Sequence, residues 1–266
     1  MEKKRVSILI SNFNKENYVE DCINSCLSQK YKNLEIIVVD NNSTDNSLKI
    51  LNKFNDTIRV EVKNRISTIG AENQIDALIH AFKISSGDLI FLLDSDDFFM
   101  PKKIQIIEKI FSNSNELKIL FDIPRISKNQ KIEPIKIKKK YNTHIWPTII
   151  PTSGISLTRN FFNECLKINL FKGFPNVEID FRLTSFSQKI MNNNYILDDY
   201  LTFYRVALNG IMDNSKKFSI KWWLRRIEAH KFMEHFYEEN NIKYKKNYDY
   251  FITKIITNII KNNSLK

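Results

Sequence analysis

From residue 6 to 121 the chain alternates short apolar runs with longer stretches in which apolar residues recur at helical spacing. The runs VSILIS (6–11), LEIIVVD (34–40), IRVEV (58–62), DLIFLLD (88–94) and LKILF (117–121) predict strands. Three of them are nearly continuous in apolar residues, as strands covered on both faces of a parallel sheet are. The stretches 16–29, 44–54, 72–84 and 101–112 predict helices, the last opening on Pro101 at its first position. Strand, turn and helix in that order predict an α/β domain whose doubly wound, mainly parallel sheet is flanked by helices. Ligands of such sheets bind at the carboxyl ends of strands, where Asp40 and Asp94 stand.

Beyond residue 121 the pattern changes. KIEPIKIKKK reads as extended, basic and looping away from the sheet, and residues 151–210 mix strand and helix signals. Helix dominates from 216 onward, which predicts a core domain over 1–210 and a helical extension over 211–266. In FSIKWWLRRIEAHKFMEHF (218–236), Trp222 and Trp223 lie beside Lys221, Arg225 and Arg226, and YFITKIITNII (250–260) carries a helical apolar stripe. Such stripes are ordinarily core, and the alternative is membrane docking, on an anionic surface for residues 216–231.

Composition narrows the picture. At 266 residues and 42% hydrophobic content the chain can bury a large core. No apolar run approaches the roughly 18 residues that cross a bilayer. The start MEKKRVSILIS is too short in apolar residues for a secretory signal, which predicts a cytoplasmic protein, at most peripheral at the inner face of the membrane. Cys22, Cys26 and Cys165 lack a metal spacing and read as reduced core residues, and the four histidines show no zinc pattern. The net charge of +11 is local: residues 125–140 and 213–266 carry +6 each and the remainder −1, which favours an anionic partner.

The stretch FLLDSDDFFMP ends a buried strand on Asp94, Asp96 and Asp97, and charges so close raise one another's pKa unless a cation or donors sit among them. It reads either as a solvated acidic turn or as a divalent-metal site. The ordered set VSILISNFNKENYVEDCINSCLSQKYKNLEIIVVDNNSTDNSLKIL, AFKISSGDLIFLLDSDDFFMP and PTSGISLTRNFF resembles the family 2 glycosyltransferases, which have the GT-A fold, over roughly residues 5–210. The resemblance implies a nucleotide-sugar donor, with Ser11 and Phe13 lining the base pocket and Asp40 accepting from base or ribose. It places Asp94 at the ribose and makes Asp96 the ligand of Mg2+ or Mn2+, a hard cation that prefers oxygen. A metal and a diphosphate would then counter the carboxylates.

An inverting transfer also needs a base for the acceptor hydroxyl. The family keeps an acid before a helix in its second half, and GFPNVEIDFRLTSF (173–186) supplies Asp180 as first choice and Glu178 as second. The alternative for Asp180 is a helix cap paired with Arg182. Arg205 resembles a family arginine that helps hold diphosphate, with a surface ion pair as the alternative. Departures from the family pattern are SNFN without proline, DNNS in place of Asp-Gly, Ile79 where many members have Asn, and no QxxRW. The last, with the lack of spans, argues for a single addition, to a glycan or lipid-linked acceptor, rather than processive synthesis. A phosphatase would want Thr or Val where Phe98 stands, and a nucleotidyltransferase would want a glycine-rich first turn. No nucleic-acid module is visible, so nucleic acid is not an expected partner. The remaining rival is a nucleotide-sugar-binding protein that has lost turnover.

Overall fold

A computed structural model describes residues 3–128, 131–134, 146–205 and 216–264. The predicted strands form with ends moved by one or two residues: β1 (Val6–Asn12), β2 (Leu34–Asp40), β3 (Arg59–Val62), β4 (Leu89–Asp94) and β6 (Ile119–Asp122). The helices form too, with ends moved by up to three residues: α1 (Val19–Leu27), α2 (Ser47–Leu51), α3 (Gly70–Ile84) and α4 (Lys103–Ser112). Pro101 does not open α4. Lys102 takes a left-handed conformation, φ 67°, one residue before the helix and turns Lys103 into the core.

The main sheet has seven strands in the order β10–β6–β9–β4–β1–β2–β3, where β9 is Ile155–Thr158 and β10 is Tyr195–Leu197. All neighbours are parallel except β9, which runs antiparallel between β4 and β6. Side chains alternate across the strands as the pleat requires. Leu9, Ile37, Val39, Ile90 and Leu92 join one core cluster with residues of α3, α5 (Arg159–Lys167), α6 (Ile179–Ser185) and α7 (Ile220–Glu239). Ile8, Ile10, Val38, Phe91 and Leu93 join a second with α1, α2 and α4. Gly87, just before β4, is required by a close approach: a Cβ there would lie 2.4 Å from Ser7 Oγ and 2.6 Å from Ser7 N.

A four-stranded sheet, β5–β11–β7–β8, stands apart from the first and holds β5 (Phe98–Phe99), β11 (Thr202–Tyr204), β7 (Arg125–Lys128) and β8 (Lys131–Pro134). The basic segment thus leaves the main sheet as expected, but its first part pairs into this second sheet; residues 135–145 lie outside the described residues. The boundary expected at 210 also falls outside them. Cys22, Cys26 and Cys165 are free and buried. His230 is buried between Tyr244 Oη, 2.7 Å from Nδ1, and Asp249 Oδ2, 3.0 Å from Nε2.

The two last helices differ in what they bury. Helix α7 sends Ala229, Phe232, Met233 and Phe236 into the first core. Helix α8 (Tyr248–Ser264) reverses the expectation for 250–260: Thr253 and Thr257 are buried, whereas Phe251, Ile252, Ile255 and Ile259 are exposed. The polar contacts of Asp249 in its first turn set that rotation, since they anchor the helix with its threonine side inward.

Candidate active site

Strand β1 lies between β2 and β4, and the chain leaves it in both directions, which opens a crevice at the carboxyl ends of the three strands. Register brings the candidate residues to one rim: Ser11 is opposite Asp94 on one side, and Asn12 is opposite Asp40 on the other. The following loops are tied together by polar groups. Thr44 N donates to Asn14 Oδ1 at 2.8 Å, Lys15 N to Ser47 Oγ at 2.8 Å and Glu16 N to Asp45 Oδ2 at 3.0 Å. Asn14 supports this path with a left-handed φ of 51°, which asparagine tolerates better than most residues.

Asp40 is fully buried and its carboxylate is already engaged. Its Oδ2 accepts from Asn12 Nδ2 at 2.6 Å and Ser43 Oγ at 2.7 Å, and its Oδ1 accepts from Ser43 N at 2.8 Å. It therefore holds the β2 loop against β1. Phe13 at the same rim packs against the Arg65 guanidinium, 4.4 Å from the ring centre.

The three carboxylates at the end of β4 and in the turn after it each have their own partner. Asp94 accepts from Gln74 Nε2 at 2.6 Å, Asp96 pairs with Lys15 Nζ at 2.7 Å, and Asp97 accepts from Ser153 Oγ at 2.5 Å and Arg205 N at 2.8 Å. Ser153, from the PTSG turn, also accepts from Asp94 N at 3.0 Å. These contacts do not remove the repulsion. Burial, then the Asp96 charge, push Asp94 up to about 7, and burial and the neighbouring carboxylates raise Asp97 as well.

Asp180, in the first turn of α6, belongs to the same electrostatic site, because its charge adds to the rise of Asp94. Its own pKa is pushed up to about 7, first by burial and then by Glu178, with Arg225 opposing. Asp180 is not paired with Arg182: its Oδ1 accepts from Phe181 N at 2.6 Å. Arg182 is buried and donates instead to the carbonyls of Val177 at 2.8 Å, Leu170 at 2.9 Å, and Gly173 and Phe174 at 2.6 Å. It closes the 170–177 loop beneath the start of α6. Glu178 forms an ion pair at 2.7 Å with Arg225 of α7.

Arg205 is committed within the protein. Its guanidinium donates to Asp96 O at 2.7 Å and Asp21 Oδ2 at 2.9 Å, which ties it to the backbone of the acidic turn and to α1. Sequence reasoning missed Asn12, Lys15, Gln74, Ser153 and Tyr204. The Tyr204 hydroxyl is raised by burial and then by Asp97, Asp94, Asp96 and Asp180, a measure of how the charges converge. Only Asn12, next to the apolar run of β1, carried a local signal.

Among the described residues no group of three or more His, Cys, Asp or Glu is placed to hold a metal ion. The donor chemistry nevertheless fits a hard divalent cation with few protein ligands: Asp96 is part-exposed at the rim, and Asp94, pushed up by burial and by the Asp96 charge, offers a second carboxylate two residues away. Two pockets lie nearby. One of about 200 Å³, lined by Trp146, Glu178, Phe181, Trp222, Arg225 and Arg226 among others, adjoins α6, and one of about 420 Å³ lies under α3; neither is lined by Asp94 or Asp96.

The curated relatives include a UDP-Glc:alpha-D-GlcNAc-diphosphoundecaprenol beta-1,3-glucosyltransferase, WfaP, from Escherichia coli, 40% identical over 37% of this chain and 38% of its own length. An uncharacterized glycosyltransferase, alr2836, from Nostoc sp. is 28% identical over 63% of this chain and 55% of its own length. The chain thus spans about half or less of the length of these relatives. Among solved structures, S. aureus TarS 1–349 in complex with UDP-GlcNAc superposes with a TM-score of 0.59 at 16% identity, covering 87% of this chain and 71% of that one. The mannosyltransferase PcManGT from Pyrobaculum calidifontis, in complex with GDP-Man and Mn2+, gives 0.63 at 15% identity over 97% of this chain and 70% of that one. At these identities the likeness is one of fold, the GT-A arrangement of a mainly parallel sheet between helices. The profile of glycosyl transferase family 2 matches residues 7–164, more than half of the chain, with the β1, β2 and β4 loops that build the rim inside that span, and the chain belongs to that family.

Proposed function

We propose that the protein transfers a single sugar from a nucleotide-diphosphate donor to a hydroxyl of a glycan or lipid-linked acceptor, with inversion and with a divalent metal. A UDP-sugar is the favoured donor, in keeping with the UDP-Glc named for the E. coli relative and the UDP-GlcNAc bound by the S. aureus neighbour. The observation that carries the reading is the register that sets Asp94 and Asp40 on either side of β1 at one rim of the sheet, with Asp96 and Asp97 two and three residues beyond Asp94; the charge of Asp180, which adds to the raised pKa of Asp94, supports it.

Phe13 offers a flat face for the base, and Ser11 lines the floor beside Asp94. Asp40 acts one step back, by holding the β2 loop in place. Asp96, with Asp94 at the ribose, would hold Mg2+ or Mn2+, which when bound neutralises charge on the departing diphosphate. Lys15 adds positive charge at the same carboxylate. Asp180 takes the proton of the acceptor hydroxyl as that oxygen attacks the anomeric carbon; a pKa of about 7 makes it a stronger base than an ordinary aspartate while leaving it ionised above neutrality. Glu178 holds Arg225 and stays second choice as the base. Arg205 serves diphosphate binding through its hold on the Asp96 backbone. The pocket beside α6, with Trp146, Phe181 and Trp222 for a sugar face and two arginines at its edge, suits the acceptor.

Hydrolysis of, or transfer from, a UDP-sugar is expected to require Mn2+ or Mg2+ and to fall by at least about a hundredfold in Asp96→Ala, the scale of losing an electrostatic stabiliser. Activity intact in that variant would remove the metal from the mechanism. Nucleotide binding by thermal shift with Mn2+, but no turnover of any sugar donor, would favour a binding protein instead.

A further inference from the structure

We infer that helix α8 is a membrane-docking surface that lays its apolar face on an anionic bilayer. The helix is mounted inside out. Tyr248, Phe251, Ile252, Ile255 and Ile259 are 87%, 52%, 52%, 60% and 55% exposed, whereas Thr253 and Thr257 on the opposite side are 0% and 2% exposed. At the helical angle of about 100° per residue those five side chains share one face along most of the helix. The mounting is deliberate in the polar contacts: Asp249 in the first turn accepts from Trp146 Nε1 at 3.0 Å and Arg226 Nε at 2.9 Å, and Thr257 Oγ1 donates to Thr253 O at 2.8 Å.

Charge selects the occupant. Asp249 is the only acid in α8 and is spent on those contacts, while Lys254 and Lys261 are exposed on one flank of the helix, between the apolar face and the threonine side. Residues 213–266 carry +6 in all. An apolar face with lysines on one flank, whose long side chains can reach the headgroups, suits the boundary between anionic headgroups and acyl chains. A second copy of the same face would set lysine against lysine with no acid on the helix to meet them. The surface differs from residues 216–231, where Trp222 and Trp223 are half-buried and meet edge to face. It is independent of the proposed reaction.

The test is co-sedimentation of the full chain with phosphatidylcholine vesicles prepared with and without phosphatidylglycerol. Binding to the anionic vesicles is expected, weakened by salt. It should fall about tenfold or more in Ile255→Asp/Ile259→Asp and several-fold in Lys254→Gln/Lys261→Gln, the latter difference vanishing at high salt. Both pairs change exposed side chains, so an unchanged unfolding midpoint certifies the fold, and the lysine pair keeps the test open if the isoleucine pair does not fold. Absence of binding to anionic vesicles, or binding indifferent to both pairs, would overturn the assignment. So would a dimer by light scattering that Ile255→Asp/Ile259→Asp dissociates without any change in vesicle binding.

Discussion

Asp180 and Lys15 are the two side chains on which the chemistry can be tested most sharply. If Asp180 is the base, transfer should rise with pH through about 7 and level off above it, since only the ionised carboxylate accepts a proton. Asp180→Asn should abolish transfer while donor binding persists; full transfer with that variant would dismiss the assignment. The same raised pKa predicts an effect on stability. Between the ordinary aspartate value of about 4 and about 7, the folded protein keeps a proton that the unfolded chain has released, so stability is lost as pH rises through that window. Asp180→Asn should therefore melt higher than the native protein at pH 8, with the difference closing near pH 4, a comparison that calorimetry can make. Lys15 sits on the carboxylate expected to bind the cation. Lys15→Met should tighten Mn2+ binding to nucleotide-free protein several-fold, read by electron paramagnetic resonance of the free ion, and an unchanged affinity would place Asp96 outside the metal set.

At the level of elements, the site depends on two supports behind the rim. The buried Lys103 is one: it pairs with Asp122 at 2.6 Å and donates to Ser153 O at 2.8 Å, so α4 fixes the PTSG turn that holds Asp94 and Asp97. Arg182 is the other. Its donors fill a loop whose carbonyls have no strand or helix to receive them, and Lys could not reproduce that planar spread. Arg182→Met, which leaves several buried acceptors without donors, should cost about 3 kcal/mol or more. Urea unfolding would measure the loss, and kcat should fall with it because Asp180 stands on the turn that Arg182 secures. A variant as stable as the native protein would show that water replaces the guanidinium.

For the whole molecule, the C-terminal helices share the core that lies on one face of the main sheet. Helix α7 contributes to the core beneath α6 and meets Glu178 through Arg225, so the candidate base is positioned from both halves of the chain. Asp249 joins α8 to this assembly. Burial would raise its pKa, but hydrogen bonds from His230 and Arg226 outweigh burial and hold it at about 2. A depressed carboxylate contributes stability that is present above the ordinary value of about 4 and lost as pH falls toward about 2. Asp249→Ala should thus cost about 2 kcal/mol at pH 7, and its deficit relative to the native protein should shrink on acidification. Tryptophan fluorescence during unfolding suits the measurement, because Trp146 loses its partner in that variant.

The alternation of apolar runs and helical spacing determined the strands, the flanking helices and the rim positions of Asp40 and Asp94, because those features follow from local period and from where an apolar run stops. Family likeness in ordered motifs carried the rest of the sequence reading, including Asp96 and Asp180. Only tertiary structure decided which side chains answer the acidic turn: Lys15 reaches Asp96 from a loop more than eighty residues earlier, and Gln74 reaches Asp94 from α3. It also decided that β9 enters the sheet antiparallel and that α8 faces outward, since a helical stripe states that one face is apolar without stating what that face will meet. Pairings between distant segments depend on the register and packing of the finished fold, and no local pattern along the chain encodes them.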